Sequence, residues 1–187
     1  EREFSLDHFA ENLYQFIEGE KINKPNIFGY SMGGYVALKN AIVHPDKVNR
    51  IMTLGTKFDW SPESAAREVK MLNPDVIAEK VPKFAEQLRQ RHAPQDWKQV
   101  LSKTAEMMLA LGNGKALQPI DFRKVNCPVL ITVGSSDNMV SVEESQEIAS
   151  AISNSAFEVF EGFKHPIEQV DVEMLAERIE AFMKSKN

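Results

Sequence analysis

The stretch NIFGYSMGG, residues 26–34, decides the fold of this 187-residue chain. Its first three residues predict a short strand, and residues 35–43 after it have the apolar spacing of a helix. Between the two, Ser31 stands on a sharp turn, with Gly29 and Gly33 expected to leave the room that such a turn needs. The stretch therefore predicts a serine hydroxyl raised at the edge of a sheet, where it could act as a nucleophile.

On both sides of this turn, strands alternate with helices, which favours crossover connections and a parallel sheet. Residues 60–117 break the alternation, because they show only helical patterns punctuated by prolines. We expect an α/β fold, a parallel sheet flanked by helices with an all-helical insertion. The expected parts are a first core segment at residues 1–59, a helical segment at residues 60–117 and a second core segment at residues 118–187. The remaining strands are expected at residues 48–54, 128–134 and 156–160, and the remaining core helices begin near residues 5, 142 and 172.

A serine hydroxyl becomes a good nucleophile only when a base removes its proton, and histidine is the usual base. His165 lies in the segment GFKHP just after the last expected strand, where a loop would place it beside Ser31. The competitors are His8 in the first helix, His44 at a helix end and His92 in the helical segment. The position after a strand favours His165.

An acid is needed to orient that base and to stabilise its charged form. Asp137 follows the clearest strand of the sequence, and Asp59, after the strand that ends near residue 54, is the alternative. Ser31, Asp137 and His165 each follow a different parallel strand, and open α/β sheets place their sites at that edge. We expect these three side chains to meet there.

Composition narrows the classes of partner. Lys and Arg total 22 against 27 Asp and Glu, for a formal charge of -5, which disfavours nucleic acid and anionic membranes as partners. Cys127 is the only cysteine, so no internal disulfide can form, and the sequence shows neither a membrane span nor a signal peptide. We expect a soluble, cytoplasmic protein.

The order Ser31, Asp137, His165, the elbow sequence GYSMGG and the final GFKHP segment resemble the α/β-hydrolase superfamily over essentially the whole chain. The resemblance implies that Ser31 is the nucleophile, His165 the base and Asp137 its orienter. It also implies that the helical segment is a cap over the substrate. The activity expected from it is hydrolysis of a small ester, thioester or related acyl bond through an acyl-enzyme, with no metal or organic cofactor.

The resemblance also suggests binding residues. The backbone N–H of Met32 is the expected oxyanion donor, and Tyr30 beside the nucleophile is an expected wall of the substrate site. Met107 and Met108 belong to an apolar set in the helical segment that predicts a pocket for a small hydrophobic acyl substrate. The remaining members of that set are Met71, Leu72, Phe84, Leu88 and Leu111.

The sequence departs from the superfamily in one respect. The strands and the second oxyanion donor that normally precede the elbow are missing, which suggests that the functional protein carries about 70 to 80 further N-terminal residues. Without them the strand before Ser31 would have an unpaired edge, prone to association or homo-oligomer formation. The alternative function is a non-catalytic ligand-binding or interaction protein on the same scaffold.

Overall fold

A computed structural model describes residues 4–185 of the chain. The backbone divides into two compact units. The first, the sheet unit, consists of residues 6–58 and 117–185, and the second, the helical unit, consists of residues 4–5 and 59–116. The two are described separately below.

The sheet unit is built on four strands that are all parallel to one another and follow each other in chain order. They are β1 (Asn26–Tyr30), β2 (Arg50–Leu54), β3 (Val129–Gly134) and β4 (Ser155–Phe160). Every residue of β2 and β3 is buried, as expected for central strands covered on both faces. The predicted parallel α/β sheet is therefore confirmed.

Helices connect the strands. The helices are α1 (Leu6–Gly19), α2 (Met32–Val43), α3 (Pro62–Val69), α4 (Pro74–Lys80), α5 (Pro82–His92), α6 (Trp97–Ala110), α7 (Pro119–Phe122), α8 (Val142–Ala151) and α9 (Val172–Lys184). None of the helices in residues 4–185 combines the length and apolar character of a membrane-crossing segment.

Alternate residues of a strand point to opposite faces of the sheet. Both faces are covered here. On one face, Met52 and Leu130 pack with Leu175 of α9 in an apolar cluster that also holds Phe163 from the loop after β4. On the other face, α2 packs so closely on β2 that a Cβ added to Gly34 would lie 3.0 Å from Thr53. Both faces of the sheet therefore pack closely against other parts of the unit.

The strand register aligns the carboxyl ends of the strands. Tyr30, the last residue of β1, lies beside Leu54, and Leu54 lies beside Thr132. At the other side of β3, Gly134 pairs with Phe160, the last residue of β4. The segments that follow all four strands therefore emerge at one edge of the sheet.

The helical unit has an apolar core of its own. The buried residues Ile77, Leu88, Trp97 and Leu101 pack together, with Leu72 partly buried against them. Within residues 59–116 the structure has helices and no strand. Pro82 opens α5 and separates it from α4, one of the prolines that punctuate this segment. Hydroxyl, amide and carboxylate side chains of Ser61, Asn73 and Asp96 cap the starts of α3, α4 and α6.

The two element boundaries on either side of Ser31 differ from the sequence prediction. β1 continues to Tyr30, and α2 begins at Met32 instead of beyond Gly34. The N–H of Gly34 donates to the Ser31 carbonyl at 3.1 Å, which is the first hydrogen bond of the turn that opens α2. Gly33 and Gly34 therefore belong to the first turn of α2.

Candidate active site

Ser31 occupies a single-residue turn between β1 and α2. Its backbone angles are φ 50° and ψ -123°, a left-handed conformation that costs a non-glycine residue about 1 to 3 kcal/mol. Two hydrogen bonds hold it there: the Ser31 N–H donates to the Leu54 carbonyl at 2.8 Å, and the Thr56 hydroxyl donates to the Ser31 carbonyl at 2.9 Å. The end of β2 therefore fixes the strained turn that presents the Ser31 hydroxyl.

Close packing explains two of the three glycines of the turn. A Cβ on Gly29 would lie 2.5 Å from the Cα of Gly34, and a Cβ on Gly34 would overlap the hydroxyl of Thr56. The prediction that Gly33 provides the necessary room is wrong, because a Cβ at Gly33 would meet nothing within 4 Å. Gly34 takes that role instead, since α2 must approach β2 closely just after the turn.

His165 lies in the loop after β4, and its side chain is 9% exposed. Its Nε2 lies 3.2 Å from the Ser31 hydroxyl oxygen, and its Nδ1 lies 2.9 Å from Oδ2 of Asp137. An ionised carboxylate can only accept, so Nδ1 carries the proton and Nε2 is left to accept from the Ser31 hydroxyl. The structure thus brings Ser31, His165 and Asp137 into one hydrogen-bonded chain.

The other candidate residues are placed elsewhere. His44 caps the end of α2, where its ring stacks on Tyr14 at 3.7 Å. His8 belongs to α1, and His92 ends α5 in the helical unit. Asp59, the alternative acid, is exposed at the start of the helical unit.

Both oxygens of the Asp137 carboxylate are engaged, and its side chain is only 2% exposed. While Oδ2 faces His165, Oδ1 accepts from the N–H groups of Met139 at 2.8 Å and Val140 at 3.0 Å. Burial by itself raises the pKa of Asp137, but the hydrogen bonds from His165, Met139 and Val140 outweigh it and bring the pKa below its ordinary value. Asp137 is therefore held ionised and oriented towards the imidazole.

Gly55, directly after β2, was not identified from the sequence. It has a positive φ of 58°, and a Cβ there would lie 3.0 Å from Oδ2 of Asp137 and 3.4 Å from Nδ1 of His165. Only glycine combines that backbone conformation with such a close approach. Its closeness to both side chains depends on β2 lying between β1 and β3, which the sequence alone does not show.

The expected binding residues fall into two groups. Tyr30 is half-buried at the end of β1, with its ring 5.5 Å from the His165 ring, and Met32 is the first residue of α2. Met32 has an N–H at the helix start, where first-turn donors lack an intrahelical acceptor. Met107 is buried and Met108 half-buried on α6 of the helical unit, so a role for them in substrate binding stays a prediction.

Among residues 4–185, no three His, Cys, Asp or Glu side chains come together as a candidate metal site. The chemistry available at the edge of the sheet is proton transfer from a hydroxyl to an imidazole that a buried carboxylate orients. That arrangement activates a serine for attack on an electrophilic carbon.

A comparison with protein families matches residues 4–169 to the hydrolase family described as serine aminopeptidase, S33. Among curated relatives, a pimeloyl-[acyl-carrier protein] methyl ester esterase of Aliivibrio salmonicida is 28% identical over 163 residues. That match covers 73% of this chain and 60% of the esterase, so it extends over less than two thirds of that relative's length.

Solved structures show the same fold. A thermophilic esterase from Thermogutta terrifontis superposes with a TM-score of 0.67 at 25% identity, covering 96% of this chain and 72% of the esterase. A serine hydrolase involved in carbazole degradation, the CarC enzyme, gives a TM-score of 0.72 at 24% identity, covering 98% of this chain and 72% of that enzyme. Each similarity covers nearly the whole of this chain.

Proposed function

Because this chain belongs to the serine aminopeptidase S33 family of the α/β-hydrolase superfamily, we propose that it is a serine hydrolase that cleaves a small ester, thioester or related acyl bond. The observation that carries the proposal is the continuous chain of contacts from the Ser31 hydroxyl through His165 to Asp137, at 3.2 Å and 2.9 Å. Ser31 is its nucleophile, His165 its general base and Asp137 the acid that orients the base.

In the first half of the reaction, the Ser31 oxygen attacks the carbonyl carbon of the substrate while Nε2 of His165 accepts the hydroxyl proton. The resulting imidazolium is stabilised by the Asp137 carboxylate. It then gives its proton to the leaving alcohol or thiol as the bond from the carbonyl carbon to that group breaks. The acyl group remains as an ester on Ser31.

In the second half, His165 removes a proton from water, which attacks the acyl-enzyme. The bond between the carbonyl carbon and the Ser31 oxygen then breaks, and the proton returns from His165 to the serine. Ionised Asp137 keeps the imidazole in the same orientation through both halves. The reaction needs no metal or organic cofactor, because all proton transfers occur between side chains of the chain, water and substrate.

The negative charge that develops on the carbonyl oxygen needs hydrogen-bond donors, and we assign one of these roles to the backbone N–H of Met32. That N–H belongs to the residue after the nucleophile and lies at the start of α2, where the helix dipole also favours an anion. Removal of one such donor costs other serine hydrolases about 2.7 to 4 kcal/mol of transition-state stabilisation.

The proposed substrate class is based on similarity to other proteins. The named relative and one structural neighbour are both esterases, which supports an ester or chemically similar acyl bond. In this proposal Tyr30 forms a wall beside the nucleophile. Leu72 and Leu88 of the expected apolar set pack within the helical unit's own core.

The proposal is tested by hydrolysis of p-nitrophenyl acetate, p-nitrophenyl butyrate and an alkyl thioester by the wild type and Ser31→Ala. We expect the wild type to hydrolyse at least one of them and the variant to lose at least about 10³-fold in kcat/KM. Equal rates for both proteins on all three substrates would contradict the proposal and favour a binding function on this scaffold.

A further inference from the structure

The residue before the nucleophile contacts the histidine loop, here defined as residues 161–167. The Tyr30 hydroxyl donates to the main-chain carbonyl of His165 at 2.7 Å, across 135 positions of sequence. The same tyrosine packs in the apolar cluster that contains Phe163 and Ile167, which flank His165. Tyr30 therefore holds the backbone of the histidine loop, in addition to any contact of its ring with a substrate.

Two further hydrogen bonds hold the part of the histidine loop before His165. The Phe163 carbonyl accepts from the Ser136 N–H at 3.0 Å, and the Gly162 N–H donates to the Ser135 hydroxyl at 2.8 Å. Both contacts join the loop to the segment after β3. The carbonyl of His165 is held from the opposite side, by the end of β1.

The imidazole of His165 contacts two different segments of the site. Asp137 holds Nδ1 from the segment after β3, and Ser31 must meet Nε2 from the segment after β1. Because Tyr30 and Ser31 are consecutive residues, a bond from Tyr30 to the His165 main chain sets the distance between the loop and the nucleophile itself.

We propose that Tyr30 is a positioning residue, whose hydroxyl ties the main chain of His165 to the nucleophile turn and so keeps Nε2 within reach of the Ser31 hydroxyl. This inference rests on the proposed hydrolase function for its kinetic readout only. The hydroxyl acts through His165 and takes no part in bond making or breaking.

The half-buried state of Tyr30 agrees with this role. Burial raises the pKa of the Tyr30 hydroxyl, although a hydrogen bond from the backbone of Ile167 acts in the opposite direction. The hydroxyl thus stays protonated and able to donate. The backbone hydrogen bond also comes from the histidine loop.

The test is Tyr30→Phe, which keeps the ring and removes only the hydroxyl. The matched control is Tyr35→Phe, because the buried Tyr35 hydroxyl also contacts the backbone, accepting from the Leu117 N–H at 2.6 Å. We expect kcat for the ester or thioester to fall about 3- to 10-fold in Tyr30→Phe, with KM unchanged. Tyr35→Phe should keep the wild-type kcat even where its thermal unfolding midpoint falls.

A second readout does not depend on turnover. The proton on Nδ1 of His165, hydrogen-bonded to a carboxylate, should give a proton NMR signal far downfield of the amides. In Tyr30→Phe that signal should broaden and exchange faster with water, and in Tyr35→Phe it should stay as in the wild type. A wild type that shows the signal but no Ser31-dependent hydrolysis would refute the hydrolase function alone and leave Tyr30 to be judged by the NMR comparison.

Three results would overturn the inference about Tyr30. The first is an unchanged kcat together with an unchanged downfield signal in Tyr30→Phe. The second is a raised KM at constant kcat, which would make Tyr30 a substrate contact only. The third is an equal loss of kcat in Tyr35→Phe, which would reduce the effect to general destabilisation.

Discussion

The hydroxyl oxygen of Ser31 and Nε2 of His165 lie 3.2 Å apart, although 134 positions of sequence separate the two residues. The proximity arises from the topology, because β1 and β4 are parallel and both end at the same edge of the sheet. Asp137, from the segment after β3, completes the arrangement by contacting the other imidazole nitrogen at 2.9 Å. Loss of any one of the three should therefore have a large effect on hydrolysis.

Asp137→Asn should lower kcat about 10³- to 10⁴-fold, because a neutral amide neither holds the Nδ1–H tautomer nor stabilises the imidazolium. Asp59→Asn is the matched control, since Asp59 is an exposed carboxylate in the helical unit. Steady-state hydrolysis by the control should stay within about twofold of the wild type. A large loss of kcat in Asp59→Asn, together with an active Asp137→Asn, would identify Asp59 as the acid in place of Asp137.

The same carboxylate should make stability depend on acid pH. Folding lowers the pKa of Asp137 from its ordinary value of 3.8, so its pairing stabilises the fold above that value. The contribution is lost as the pH falls through the lower folded-state pKa. Urea unfolding between about pH 5 and pH 2.5 should therefore show the free-energy difference between the wild type and Asp137→Asn decreasing with acidity. A difference that stays constant over this range would contradict the lowered pKa.

Gly55→Ala should impair hydrolysis more than stability alone explains. A Cβ there would press on Oδ2 of Asp137 at 3.0 Å, so we expect kcat to fall about 10-fold or more. Gly114→Ala is the control, because Gly114 also has a positive φ, of 95°, but open space around its Cβ position. Both variants should lose about 1 to 2 kcal/mol of folding free energy from the left-handed conformation. Equal kcat values in the two would show that the His165–Asp137 pair tolerates the added methyl group.

Gly34→Ala and Gly33→Ala should differ although they are neighbours. The first forces a methyl group onto the Thr56 hydroxyl and should destabilise the fold by about 1 to 3 kcal/mol. The second fills open space at the start of α2 and should leave the free energy of unfolding unchanged or raise it by up to about 1 kcal/mol. Chemical denaturation compares the two, and a larger loss in Gly33→Ala would contradict the packing described here.

The sequence predicts much of this architecture, because the signals for β1, β3, β4 and the intervening helices are local. Ser31, Asp137 and His165 could be selected because each follows a strand, and parallel strands end at one edge. Gly55 and Thr56 could not, since their contacts with the reactive groups depend on β2 lying between β1 and β3. Strand order is a property of packing and has no local signature.

The contact between Tyr30 and the His165 main chain could not be predicted from the sequence either. Its place beside the nucleophile suggested a substrate wall, and its ring is indeed near His165. The hydrogen bond from its hydroxyl to the His165 carbonyl spans two distant loops, so residue type and spacing give no indication of it. Likewise, Gly33 was expected to supply room that the packing of α2 on β2 requires at Gly34 instead.

The central claim, that Ser31 is a nucleophile activated by His165 and Asp137, is tested most directly by a fluorophosphonate probe and peptide mass spectrometry. The account predicts a single covalent adduct on Ser31, abolished in Ser31→Ala and formed at least about 10²-fold more slowly in His165→Ala. An unmodified Ser31 in the folded protein, or equally fast labelling in His165→Ala, would contradict it.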